Sequence, residues 1–179
     1  WLGNVFGIDD AAPYVALEPP KEIPEGPVVT VSLGVGDNAA KRIPDPFEER
    51  LLAALRERGA TVLVDKGAGN EEAERVEGAV ARAGAGANEI RTWEGAFADF
   101  ASLISRSRLY VGYDSAGQHA AAACGTPLVS VFAGYPSLRM FERWRPTGKG
   151  PIEVVRVDEC DPETVLARAL AAVDRLGVL

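Results

Sequence analysis

From Val28 onward the chain alternates short apolar runs with amphipathic stretches, and this alternation limits the fold more than any other feature. Val28–Leu33 is rich in β-branched residues and unbroken by charge, as a strand covered on both faces should be. Asp45–Arg58 places Phe47, Leu51, Leu52 and Leu55 at helical spacing and stops at Gly59. Thr61–Asp65 reads as a second buried strand. Asn70 is placed to cap the next helix, with Glu71, Glu72 and Glu74 in its first turn, where the helix dipole favours acids. That helix ends in a turn at Gly84–Gly86. Glu89–Thr92 reads as a third strand, Phe97–Ser105 as a helix and Leu109–Gly112 as a fourth strand. Ser115–Cys124 is a helix of small residues stopped by Gly125, and Pro127–Phe132 is a fifth strand. Ile152–Val157 is a sixth. Asp161–Leu176 closes the chain as a helix capped by Asp161, with Pro162 at its first position.

Strands alternating with helices imply an α/β fold with a doubly wound parallel sheet of about six strands. Right-handed crossovers leave few topologies, and the order 3-2-1-4-5-6 is the natural expectation. Ligands of such sheets sit outside the carboxyl ends of the strands, near the switch between strands 1 and 4. The loops to inspect are therefore Gly34–Pro44 and Tyr113–His119. Residues 1–27 differ in kind. Pro13, Pro19, Pro20, Pro24 and Pro27, with Gly26, exclude a long helix and read as a surface connector. The expected division is thus a connector over 1–27 and a domain over 28–179. The chain opens on Trp1 and its only methionine is Met140, so it is expected to derive from a longer protein.

Composition removes several classes of function. At 179 residues, 47% hydrophobic and 25% charged, the chain has the make-up of one soluble globular domain. No apolar run approaches the ~18 residues of a membrane span. No basic stretch followed by an apolar core marks a signal peptide. Cys124 and Cys160 are too few for a disulfide scaffold and suit a reducing cytoplasm. With a single histidine they make no closed zinc set, so no metal site is expected. A net charge of −7 argues against a general nucleic-acid binder, whose footprint is a basic face.

Three constellations carry possible chemistry. The first, Gly34-Val-Gly36-Asp-Asn-Ala39, matches the dinucleotide fingerprint G-x-G-x-x-A, and Asp65 ends strand 2 where a ribose-binding acid would sit. An NAD site therefore competes with a plain turn. Against NAD, Pro44 keeps Ile43 out of the helical region, so the next helix opens near Asp45, too late to serve the loop. The loop also presents Lys41 and Arg42. The second is Tyr113-Asp114-Ser115-Ala116-Gly117-Gln118-His119. Asp114 or Ser115 can cap the helix, small residues at 115–117 would let a ligand approach the backbone, and the first N–H groups would face an anion such as a diphosphate. His119, the only histidine, lies one turn into that helix. The third is Phe132-Ala-Gly134-Tyr-Pro136 with Arg139, Arg143 and Arg145, which reads either as a sugar or base pocket or as a long surface loop anchored by Trp144.

Together these residues resemble glycosyltransferase family 9, the heptosyltransferase-like enzymes of bacterial lipopolysaccharide assembly. The family pattern D-[ST]-G-x-x-H-x-A-A-x-x-G-T-P, followed by a strand ending F-G, is met in register by Asp114, Ser115, His119, Ala121, Ala122, Gly125, Thr126, Pro127 and Phe132. The resemblance runs from about Val28 to the end. It implies the C-terminal, donor-binding half of a GT-B fold, a Rossmann-like domain, with residues 1–27 as the interdomain linker. It implies an inverting transfer of a heptose-like or other sugar from a nucleotide-diphosphate sugar to a glycan or lipid-linked acceptor. The catalytic base, an aspartate, belongs to the N-terminal half, so no catalytic residue is expected in this chain, and the chain alone should transfer nothing.

By the same resemblance Lys41, with Arg42 beside it, would meet the donor phosphate. Ser115, Ala116 and Gly117 would present backbone N–H groups to the diphosphate. Asp114 and His119 would lie against the donor sugar and its phosphates, and residues around Trp93–Gly95 would flank the base. No cofactor is implied beyond the donor itself, and the expected location is the cytoplasm, at the inner membrane face. Three departures bear on donor identity: Ala116 stands at the usual glycine, Ala133 follows Phe132, and Gly69 replaces an acidic residue after strand 2. The rival readings are an NAD-dependent or sugar-nucleotide epimerase domain and a non-catalytic nucleotide-sugar binding module.

Overall fold

A computed structural model describes residues 2–18, 28–84 and 89–179. The elements are α1 (Leu2–Phe6), β1 (Val28–Ser32), α2 (Phe47–Glu57), β2 (Thr61–Asp65), α3 (Asn70–Arg82), β3 (Ile90–Trp93), α4 (Phe97–Arg106), β4 (Leu109–Tyr113), α5 (Ala116–Cys124), β5 (Leu128–Phe132), α6 (Leu138–Trp144), β6 (Ile152–Arg156) and α7 (Pro162–Leu176). All six strands are parallel, in the expected order β3-β2-β1-β4-β5-β6.

The period-2 geometry of the strands explains why their sequences are apolar throughout. Val29 and Val31 point to one face, where Leu51, Leu52 and Leu55 of α2, Val76 and Ala79 of α3, and Val165, Ala169 and Val173 of α7 close over them. Val28 points to the other, under Phe100 and Ile104 of α4 and Ala121 and Ala122 of α5. Both faces are covered, so β1, β4 and β5 are buried at every position. The sheet order then puts the carboxyl ends of β1 and β4 side by side, and their following helices leave on opposite faces.

The helix ends depart from the expectations at several places. Gly69, at φ +100°, holds the N-cap position of α3, and Asn70 is its first helical residue rather than its cap. The preference for glycine follows from the positive φ, which asparagine's Cβ would oppose. Glu72 serves the loops instead: its carboxylate accepts the N–H groups of Val35 at 2.9 Å and Ala68 at 2.8 Å. Asp161 caps α7 as expected, accepting the Thr164 N–H at 2.8 Å. β3 begins one residue later than its expected start at Glu89, whose carbonyl accepts the Val62 N–H. The stretch read as a long loop after β5 contains α6, started by Ser137, whose hydroxyl accepts the Met140 N–H. Trp144 ends that helix 49% exposed, so it is not a packing anchor; Phe141, buried against Phe132, takes that part.

The segment 1–27 carries the short helix α1, and its described residues from Asn4 to Glu18 lie almost wholly exposed. Pro19, Pro20, Pro24, Gly26 and Pro27 lie outside the described residues, as do Gly86 and the residue before it in the turn expected after α3. No helix among the described residues is long and apolar enough to cross a membrane.

Candidate functional site

The β1 loop does not feed a helix N-terminus. After Gly34 and Gly36 it makes a single 3₁₀ turn at Ala39–Lys41, begun by Asn38, whose side chain accepts the Ala40 N–H at 3.2 Å. α2 opens only at Phe47, as the prolines require. The dinucleotide geometry, in which the pyrophosphate meets the helix that the glycine loop opens, is therefore not formed here. Asp65, the would-be ribose acid, turns its carboxylate to the Gly67 N–H at 3.1 Å, and burial holds its pKa above the ordinary value.

The 3₁₀ turn instead delivers Lys41 across the switch point. Its Nζ lies 2.9 Å from Asp114 Oδ2 and donates to the Asp114 carbonyl at 3.0 Å. Asp114 directly follows β4 and is 6% exposed, whereas the Lys41 side chain keeps 24% of its surface. A buried carboxylate needs such a partner, because its desolvation is otherwise uncompensated. An ammonium has three donors, and two are taken by Asp114, so one remains for the cleft.

Ser115 stands at the N-cap of α5 in extended backbone, but its side chain makes no capping bond. The first N–H groups of a helix have no intrahelical acceptor, and here Ser115, Ala116 and Gly117 carry them beside the Lys41–Asp114 pair. The small residues at 115–117 do not all leave room for a ligand. Gly117 is buried, and a Cβ on it would lie 2.2 Å from the Tyr110 hydroxyl; one on Gly112 would lie 2.6 Å from the same oxygen. Tyr110 fills that space from β4, so these glycines accommodate a core ring. Burial pushes its phenol up to about 12.

An open cleft of about 170 Å³ lies over the pair. Asn38, Lys41 and Asp114 give its polar side, and Phe132, Tyr135, Pro136, Met140 and Trp144 its apolar side. Gly134 joins the two. At φ +65° it brings the β5 loop onto the 3₁₀ turn, where a Cβ would stand 2.5 Å from the Ala40 carbonyl carbon, and its own carbonyl accepts the Asn38 amide at 3.2 Å. Behind the apolar wall, Tyr135 hydrogen-bonds Asp158, and with Arg156 it holds that carboxyl below its ordinary range.

The other sequence-predicted residues fall outside the cleft lining. Arg42 turns away, to Asp45 and, at 3.3 Å, to Glu48 Oε1. Trp93 ends β3, three positions from β4 in the sheet, and stacks on Phe100 at 5.2 Å. Its indole lies over Gly95, where a Cβ would be 2.7 Å from the ring. His119 is exposed on α5, 3.4 Å from the Gln118 amide nitrogen. Arg139, Arg143 and Arg145 are exposed, and Arg145 pairs with Glu142 at 2.9 Å.

Glu48 and Gln118, both buried, escaped sequence reasoning. Glu48 looks like a first-turn helix acid, yet it is 1% exposed. Its Oε1 accepts from Arg42, Arg75 and, at 3.1 Å, the Tyr113 hydroxyl, which in turn accepts the Ile43 N–H. Glu48 thus ties the residues next to Lys41 and Asp114, one level below the ion pair. The available signal was its i, i+3 and i, i+4 spacing from Leu51 and Leu52, on the apolar face of α2. Gln118 is the second such residue, fully buried on α5. Among the described residues no group of three or more His, Cys, Asp or Glu could hold a metal ion.

The model of the family described as glycosyltransferase family 9 (heptosyltransferase) matches residues 17–166. No curated protein sequence matches the chain. Among solved structures it is similar to the glycosyl transferase family 9 protein of Veillonella parvula, with 16% identity and a TM-score of 0.64 over 84% of this chain and 45% of that one. It is similar to the E. coli ADP-heptose LPS heptosyltransferase II, with 22% identity and a TM-score of 0.62 over 83% and 47%. It is also similar to the E. coli heptosyltransferase WaaC with ADP, with 18% identity and a TM-score of 0.64 over 88% and 46%. The chain spans just under half the length of these solved relatives, and at such identities the likeness speaks for the fold, which is Rossmann-like with GT-B neighbours.

Proposed function

The chain belongs to glycosyltransferase family 9, and from that premise we propose that residues 28–179 are the donor-binding domain of an inverting glycosyltransferase. Its donor is a nucleotide-diphosphate sugar, and its acceptor is a glycan or lipid-linked saccharide of the lipopolysaccharide type. The observation that carries this reading is Lys41 Nζ held 2.9 Å from Asp114 at the switch point, beside the N-terminus of α5 and lining the cleft. The solved relative that holds ADP supports the ligand class.

The chemistry asks for such an arrangement. In the transfer, the acceptor oxygen bonds to the anomeric carbon while the bond from that carbon to the diphosphate oxygen breaks. The leaving nucleoside diphosphate gathers negative charge. The free N–H groups of Ser115, Ala116 and Gly117 and the third Lys41 donor stabilise that charge from fixed positions, at no reorganisation cost during the reaction. Asp114 and His119 flank the donor sugar and phosphates. The donor's nucleobase lies along the rim toward Trp93–Gly95, or against the apolar wall of Tyr135, Met140 and Trp144. Arg42, engaged by Glu48 and Asp45, supports the loop from below. The proton of the acceptor hydroxyl goes to an aspartate of the N-terminal half. The setting is the cytoplasm of a bacterium, at the inner membrane face.

Calorimetric titration with ADP-, GDP- and UDP-sugars, alongside NAD, tests the proposal. A sugar nucleotide should bind, Lys41→Ala and Asp114→Ala should weaken it, and no acceptor should be glycosylated by this chain alone. Binding of NAD alone, or intact affinity in both variants, refutes the site. Binding of no ligand favours a module that has lost the function, and turnover by the chain alone refutes the assignment of the base to the other half.

A further inference from the structure

Gln118 is fully buried and sits at the centre of the polar contacts behind the cleft. Its Oε1 accepts the hydroxyl of Ser130, from the middle of β5, at 2.5 Å. Its Nε2 donates to Asp114 Oδ1 and stands 3.4 Å from His119 Nε2 and 3.5 Å from the Trp144 carbonyl. These neighbours admit one orientation of the amide. Turned over, Oε1 would face the Asp114 carboxylate, and two acceptors would meet with no proton between them.

The two oxygens of Asp114 are thereby divided. Oδ1 belongs to Gln118, and Oδ2 to Lys41 Nζ. The terminal torsion of an aspartate is broad and two-fold, so the carboxylate alone does not set its plane. Fixing one oxygen sets the other. The chain of contacts runs from β5 through α5 and the end of β4 to the β1 loop, and links these four elements at the switch point.

We infer that Gln118 is a positioning residue of this site: backed by Ser130, it fixes the carboxylate of Asp114 so that Oδ2 holds the Lys41 ammonium at the cleft. Its effect on ligand affinity rests on the donor-binding reading above, whereas the relay itself belongs to the free protein. A residue that merely filled the helix–sheet interface could be replaced by one of similar volume without consequence for Lys41.

The test uses the whole chain with Gln118→Met, which conserves volume, and Ser130→Ala, which removes only a hydroxyl, each alone and with Lys41→Met. The first readout is the NMR signal of the Gln118 side-chain amide without ligand. Asp114→Asn and Lys41→Met should each shift it, and Ser130→Ala should too. The second is affinity for the best-binding sugar nucleotide. Gln118→Met should weaken it roughly tenfold, the scale of one hydrogen bond to a charged group, and should add nothing once Lys41→Met is present. Ser130→Ala should act in the same direction by less. An amide signal indifferent to Asp114→Asn, or equal losses in both Lys41 backgrounds, overturns the inference. If the unmodified chain binds no sugar nucleotide, the donor reading fails, and the amide signals decide the relay by themselves.

Discussion

Gly134→Ala should strain the joint between the two walls of the cleft, by an amount that the geometry allows to be worked out. Gly134 has φ +65°, a left-handed conformation that costs an alanine about 1–2 kcal/mol. Its added Cβ would lie 2.5 Å from the Ala40 carbonyl carbon, 2.6 Å from the oxygen and 2.7 Å from the Lys41 nitrogen. All three are backbone atoms, so no side chain can swing aside, and forcing a methyl into filled space costs a further ~1–3 kcal/mol. The total of roughly 2–5 kcal/mol should lower Tm by about 5–15 °C in a chain of this size.

Gly36→Ala is the matched control. Gly36 lies in the same β1 loop at φ +55°, but nothing stands within 4 Å of its would-be Cβ. It should lose only the backbone part, about 1–2 kcal/mol. Urea unfolding of the two variants separates strain from contact, because the backbone term is common to both. An equal loss in both would refute the close approach of the β5 loop to the Lys41 turn. A Gly134→Ala protein as stable as the parent would refute the left-handed conformation as well.

Other expectations follow from the buried polar groups. Glu48→Gln should cost about 1–3 kcal/mol, less than a fully buried pair, because Arg42 and Arg75 keep 30% and 18% of their side-chain surface and can hydrate; an unchanged urea midpoint would contradict the clamp. Tyr113, raised by its burial first and then by the Glu48 charge, should ionise at lower pH in the same variant, which tyrosinate absorbance reads. Tyr110 supplies a pH dependence of definite sign. Its folded value of about 12 exceeds the ordinary 10.0, so the protonated phenol favours the folded state, and that stability is full below pH 10 and lost as pH rises from 10 to 12. The loss is about 2–3 kcal/mol. Tyr110→Phe should flatten this part of the stability profile, and an unaltered profile would refute its origin in Tyr110.

The sheet was legible because a buried parallel strand leaves a plain mark: runs such as Val28–Ser32 and Leu128–Phe132 have no solvent face and so no alternation. Strand order followed from the handedness of crossovers. Lys41 and Asp114 were legible for a different reason, since the topology itself brings the ends of β1 and β4 together, and any charged residue in those two loops is a candidate neighbour. Helix starts were less legible. Asn70 has the right chemistry for a cap, but Gly69 supplies the positive φ that the turn needs, and Glu72 reaches back to satisfy Val35 and Ala68. Propensity ranks the cap residue in isolation, while the loop decides by its path.

Gly117, read in the sequence as making room for a ligand, is packed against a core ring instead. Glycines at a switch point can make room for a ligand or for a side chain, and the motif alone does not say which. At Gly112 and Gly117 the occupant is Tyr110, two residues upstream of the first and on the same strand. Glu48 and Gln118 present the converse case, polar residues in helices whose positions look ordinary until the facing strand is known. Glu48 meets Tyr113 and Gln118 meets Ser130, partners 65 and 12 residues distant. Leaving a buried polar group without a partner is costly, and for each of these two helix residues the sheet supplies one. The ion pair at the cleft therefore stands on two buried supports, Glu48 under one face of the sheet and Gln118 under the other. The two should fail independently: the loss from Glu48→Gln should appear mainly in stability, and the loss from Gln118→Met mainly in affinity.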